Sequence, residues 1–182
     1  RFINNRFKNI KSSSISISFR SNGFISENTF EDINGNSIYV SEESKATILK
    51  NTITRICYPA FAVLQRCSVQ ISYNKISKVN RAGICIRGAN RAVLDYNEIE
   101  DVKDCGVSIS DSINCVLMHN NIKKCNIAGF EAYNQAKVAF YDNQITDCGE
   151  FGIMVYTGAT VTASRNKFTN ISDAFIRFST KG

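Results

Sequence analysis

An asparagine returns every 23 residues along the whole chain, at Asn5, Asn28, Asn51, Asn74, Asn97, Asn120, Asn143 and Asn166. Eight occurrences at one spacing, without insertion or deletion, require a structure that repeats itself along an axis, with each repeat packing on the next. The columns beside the asparagine say what is repeated. Two residues after it stand Phe7, Phe30, Ile53, Ile76, Ile99, Ile122, Ile145 and Phe168, and three residues before it the column runs from Phe2 and Ile25 to Leu117 and Phe140. Further apolar columns follow at five, ten and twelve residues past the asparagine, among them Ile33, Val79 and Cys125, then Ile38, Phe61 and Ile84, then Val40, Ile86 and Ile109. Apolar residues alternate with polar ones and are rich in β-branched types, a pattern of short strands; no stretch sustains the three-four spacing of a helix.

Helical repeats are excluded by length, since two helices need about 33 residues per unit, and a leucine framework is missing. Three short strands per 23-residue turn predict an all-β, single-stranded right-handed parallel β-helix of eight coils, a rod roughly 35–40 Å long at the strand spacing. Coils are numbered here by their asparagine, from Asn5 in coil 1 to Asn166 in coil 8. The asparagine is expected at a sharp corner, itself in a left-handed conformation, with its amide turned inward to the asparagine of the next coil as an internal ladder. A second corner is predicted nine residues further on, where Ser14, Ser37, Ala60, Gly83, Gly106, Gly129 and Gly152 are small and only Phe175 is large. Glycine there allows a positive φ or a close backbone approach. Phe175 predicts an altered or covered C-terminal end.

A chain of 182 residues with 43% hydrophobic content has enough apolar material for one continuous core, so residues 1–182 are read as one β-helix domain. With no initiator methionine, no capping helix and a register that starts and stops inside coils, the expectation is a segment of a longer protein whose flanking domains meet the rod ends. No apolar run is long enough to span a bilayer, and no membrane partner is expected. The seven cysteines are scattered, without the spacing of a zinc site, and only Cys125 and Cys148 share a column. Free thiols in that number predict a reducing, cytoplasmic compartment, and no metal or cofactor is expected. A net charge of +6 is spread over all coils without aromatic interleaving, which argues against nucleic acid.

The pattern Ile71-x-x-Asn74-x-Ile76 followed by Gly83-Ile84-x-Ile86 resembles the parallel β-helix repeat of the pectin-lyase-like superfamily, with its carbohydrate-binding and sugar-hydrolase type repeats. The resemblance implies the fold over the whole chain. For function it implies two classes: polysaccharide lyases, hydrolases and epimerases acting on acidic polysaccharides, and non-catalytic intracellular scaffolds such as an F-box β-helix protein and Shc-binding spindle and midbody proteins. Compact coils and many thiols resemble the scaffolds more closely. Catalysis would need clustered chemistry, yet the fifth-coil acids Asp95, Glu98, Glu100, Asp101 and Asp104 occupy different columns and point different ways. No catalytic residue is assigned.

Outward columns are therefore where binding is sought. The column just before the asparagine stacks Tyr73, Tyr96, His119 and Asp142 on successive coils, with His119, the one histidine, expected to be oriented by Asp142. The strand after the small corner presents Arg87, Glu131, Tyr133, Met154, Tyr156 and Arg177, read as a flat exposed face of residue types common in interface cores. The expectation is a rigid scaffold presenting one of these faces to a protein partner, or to a glycan.

Overall fold

The structure, a computed structural model, describes residues 1–180. It contains three parallel eight-stranded sheets, each taking one strand from every coil in chain order. In coil 4 the chain leaves Asn74 through Lys75–Val79 in sheet B, crosses to Ile84–Arg87 in sheet C, and returns through Arg91–Asp95 in sheet A to reach Asn97. Every strand pairs in register with the strand 23 residues away, as Ile71 does with Ile48 and with Leu94. The expected β-helix is thus found, with no helix among the described residues.

The register explains the single core. Because pairing is offset by one repeat, each sequence column becomes a spatial row, and inward rows of Ile, Val, Leu and Phe stack along the axis. Phe30, Phe61, Phe130 and Phe140 fill the widest parts, and the rings of Phe130 and Phe140 stack at 4.9 Å.

The asparagine ladder forms as expected. The Asn97 backbone N–H and Nδ2 both donate to Asn120 Oδ1, at 3.0 and 2.9 Å, and Nδ2 also reaches the Ile71 carbonyl at 2.8 Å. Asn97 Oδ1 in turn accepts from the N–H and Nδ2 of Asn74 at 3.1 and 3.0 Å. The expected backbone conformation is corrected. The left-handed residue is the one before each asparagine, from Asn4 to Arg165, at φ between 53° and 59°. The bend must come one residue early so that the asparagine can aim both its N–H and its amide along the axis. A second left-handed row lies four residues after the asparagine, with φ between 51° and 59° from Asn9 to Asn170. Such residues cost of the order of 1 kcal/mol each, which the ladder bonds offset.

At the small corner the requirement is close approach. A Cβ on Gly106 would sit 2.5 Å from Ile122 Cγ2 and 2.7 Å from the Gly129 carbonyl. Only the last coil holds a large residue there: the Phe175 ring is stacked on Phe168 at 5.7 Å and more than half exposed.

Candidate functional site

Two outward rows carry the candidate residues, and the structure treats them differently. On the asparagine corner, Tyr73, Tyr96 and His119 form a continuous ring stack, with centroids 5.0 and 4.5 Å apart. Left-handed backbone throws each side chain outward, and repetition at the strand spacing brings the rings to stacking distance. The tyrosines are 51% and 45% exposed. His119 does not turn to Asp142. Its Nδ1 lies 2.9 Å from Asp95 Oδ1, while Asp142 is clamped by Arg165 through two bonds of 2.8 and 2.7 Å. The Arg165 guanidinium accordingly holds the Asp142 carboxyl below its usual range. The reason is geometric: Asp95 stands at the end of a sheet A strand beside the corner, whereas Asp142 has a cation on its own row.

The other candidates lie on the outer face of sheet C, built from Ile84–Arg87, Val107–Ser110, Ala128–Tyr133, Phe151–Tyr156 and Ala174–Ser179. Here the face is not flat, and one expected contact residue is withdrawn. Met154 is only 6% exposed, packed with Cys105 and Ala128 and flanked by Ile127, Phe151 and Tyr156 in a small second apolar cluster. That cluster exists because the residue eight past the asparagine also turns outward and is covered by its neighbours. Burial drives the Cys105 thiol far above its ordinary range.

Around this cluster the polar residues assemble. Arg87 Nη2 in coil 4 reaches the Tyr133 hydroxyl in coil 6 at 3.4 Å, arching over Ser110 in coil 5. Ser110 is fully buried beneath that arch, and its Oγ has no hydrogen-bond partner. In the adjacent row, Ser108 Oγ donates to Glu131 Oε1 at 2.6 Å. The Tyr133 and Tyr156 rings meet edge to face at 6.5 Å, and Arg177 lies over Phe151 at 6.0 Å. Arg87 is pushed up in pKa chiefly by Tyr133, then by Cys85, whose own thiol burial pushes up. The site thus brings together Arg87, Glu131, Tyr133, Tyr156 and Arg177, adds Ser108 and Ser110, and buries Met154. Ser108 and Ser110 were not singled out in the sequence, because serine in an outward column reads as solvated surface. The signal for their burial was the larger neighbours one coil to either side, Arg87 and Tyr133 for Ser110 and Cys85 and Glu131 for Ser108.

The fifth-coil acids are dispersed, as expected. Asp95 holds His119, Glu98 faces Lys75, Glu100 holds Lys123 and Lys124, Asp101 lies near Lys103, and Asp104 accepts from the Cys105 N–H. Among the described residues no three His, Cys, Asp or Glu side chains gather as metal ligands.

Fold and outer face together define a parallel β-helix solenoid with one furnished sheet face. The model of the right-handed β-helix region matches residues 13–168, and the chain belongs to that family. The A-module of a mannuronan C-5 epimerase from Azotobacter vinelandii superposes on the whole chain with a TM-score of 0.69 at 11% identity. A periplasmic alginate epimerase, solved as a point mutant, superposes on 92% of it with a TM-score of 0.61 at 17% identity. At these identities the likeness is one of fold. The chain spans 59% and 55% of the length of those two solved chains. No curated protein matches in sequence.

Proposed function

We propose that this chain is a non-catalytic recognition module that binds an acidic glycan across the outer face of sheet C. The observation that carries this reading is the placement of two guanidiniums, Arg87 in coil 4 and Arg177 in coil 8, outside a tyrosine pair. Neither arginine is in an ion pair among the described residues, and Arg87 uses one donor in a long 3.4 Å bond, so donors remain for a carboxylate. Four coil steps separate the two cations, about 19 Å at the strand spacing, a length suited to an extended oligosaccharide. Burial of Met154 removes the apolar centre that a protein hot spot favours, and the remaining tyrosine, serine and carboxylate groups suit sugar hydroxyls. A rigid ladder beneath them keeps the ordering cost of binding low.

The test is titration of oligouronates into the protein by calorimetry. Replacing Arg87 and Arg177 together by Ala is expected to weaken binding at least tenfold with the melting temperature unchanged. Absence of binding by the natural sequence, or binding indifferent to both substitutions, overturns the proposal. One observation favours a lyase or epimerase instead: a tyrosine hydroxyl beside a guanidinium is the arrangement that a proton-abstracting tyrosine needs. Turnover of polyuronate that Tyr133→Phe abolishes, with binding retained, would replace recognition by catalysis.

A further inference from the structure

The outer face of sheet A carries a charge distribution unlike the rest of the rod. On sheet B and its corner most cations are met by carboxylates, Lys78 and Lys167 being exceptions among the described residues. Arg6, Lys8 and Arg55 gather on Glu31, with Arg55 also on Asp32, and Lys123 and Lys124 gather on Glu100. On sheet A the first outward position of the strand reads Asn22, Lys45, Ser68, Arg91, Asn114, Lys137 and Thr160, with no acid in the row. The middle outward position, from Phe24 and Thr47 through Val93 to Thr162, has no acid either. The last contains one, Asp95, already taken by His119. Glu43, at the corner leading into this sheet, is held by Arg20 and Arg66. Lys45, Arg91 and Lys137 are exposed and have no ion pair among the described residues.

Geometry makes these three a line. Lys45, Ser68 and Arg91 are direct register partners on neighbouring strands, so the cations recur every second coil, about 9.6 Å apart along the axis. Beside them runs a shallow groove of about 390 Å³, lined by Lys45, Thr47, Ser68, Gln70, Arg91 and Val93.

We infer that this groove is a second binding face, separate from sheet C, that takes a linear anionic polysaccharide lying along the rod axis. Charge complementarity selects a polyanion: a row of cations without counter-charges is satisfied by a polymer that turns at least one acid group per extended disaccharide toward the groove. The groove floor selects the kind of polyanion. Single-stranded nucleic acid is held by bases stacked on aromatic side chains, and beyond Phe24 the middle row offers Thr47, Gln70, Val93, Val116 and Ala139 instead. Small aliphatic and hydroxyl side chains leave room for a chain of sugar rings. The site serves long polymers, which span several coils, and stands whether or not oligosaccharides bind sheet C.

The experiment compares binding of heparin and of high-molecular-weight polyuronate to the natural chain, to a Lys45→Gln, Arg91→Gln, Lys137→Gln triple variant, and to a Lys78→Gln, Lys167→Gln control from sheet B. The triple variant is expected to bind at least tenfold more weakly with a shallower salt dependence, while the control and the Arg87→Ala, Arg177→Ala variant retain most of the affinity. The inference is overturned by any of three results: no binding by the natural chain, equal losses in triple variant and control, or tighter binding of single-stranded DNA than of either glycan. Equal melting temperatures for all variants establish that folding is not what changed.

Discussion

The two sides of the asparagine corner lie one residue apart in sequence and obey opposite rules. Inside, Asn28 to Asn143 are buried, identical and bonded coil to coil. Outside, the preceding residue is left-handed in every coil, yet its side chain changes from Glu27 to Lys50, Tyr73, His119 and Arg165. The bend fixes the backbone of both rows, but only the inner row has a hydrogen-bonding partner that one residue type alone can satisfy. A buried amide must both donate and accept along the axis; a side chain in water need only fit beside its neighbours.

Breaking the inner row should have the largest effect. Asn97→Ala takes the acceptor from the Asn74 N–H, one of three acceptors from Asn74 Nδ2 and a donor from the Ile71 carbonyl, and a loss of about 2 kcal/mol is expected from the buried groups left short of partners. Urea unfolding reads this as a lower midpoint at unchanged slope. An unchanged midpoint would show that the ladder does not act through stranded partners.

Breaking the outer row should matter less. Tyr96→Ala removes both ring contacts of the stack, to Tyr73 and to His119, and about 1 kcal/mol is expected in the same assay. A loss as large as that of Asn97→Ala would mean that the outer row is structural too.

The smallest effect is in pH dependence. Arg6, then Arg55, hold the Glu31 carboxyl down to about 2 from an ordinary value of 4.5. A carboxyl depressed by folding contributes stability that is complete above its unfolded pKa and is lost as pH falls toward its folded one. The melting temperature should therefore decline between pH 4.5 and 2, and Glu31→Gln should make that decline slightly shallower. Because the Arg6, Lys8 and Arg55 partners of Glu31 lie in solvent, salt should shrink the difference. A variant with an unaltered acid limb would show that this ion cluster contributes nothing.

Legibility followed the same inner and outer division. Ile48, Ile71 and Leu94 could be placed in one buried row from spacing alone, since a strict repeat turns sequence offset into spatial adjacency. His119 could be placed beside Tyr96 for the same reason. What spacing left open was how a side chain turns once its row is known. His119 bonds to Asp95 across the corner instead of Asp142 along the row, and Arg87 skips a coil to reach Tyr133. Met154, outward by parity, is covered by Cys105 and Ile127 from the corners and by Ala128, Phe151 and Tyr156 from the strands of sheet C. The cation row on sheet A was readable in its column, but its lack of counter-charges emerged only when neighbouring columns were seen not to reach it.

The sequence by itself determined the coil number, the strand register, the inward rows and the ladder, because each depends on one translation of 23 residues repeated along an axis. Only the tertiary structure decided which residue of the corner takes the left-handed bend, which outward side chains are exposed, and which charges remain uncompensated. These depend on rotamers and on contacts between different rows, where long flexible side chains choose among several partners at nearly equal distance, and a repeat fixes the positions of those partners without fixing the choice.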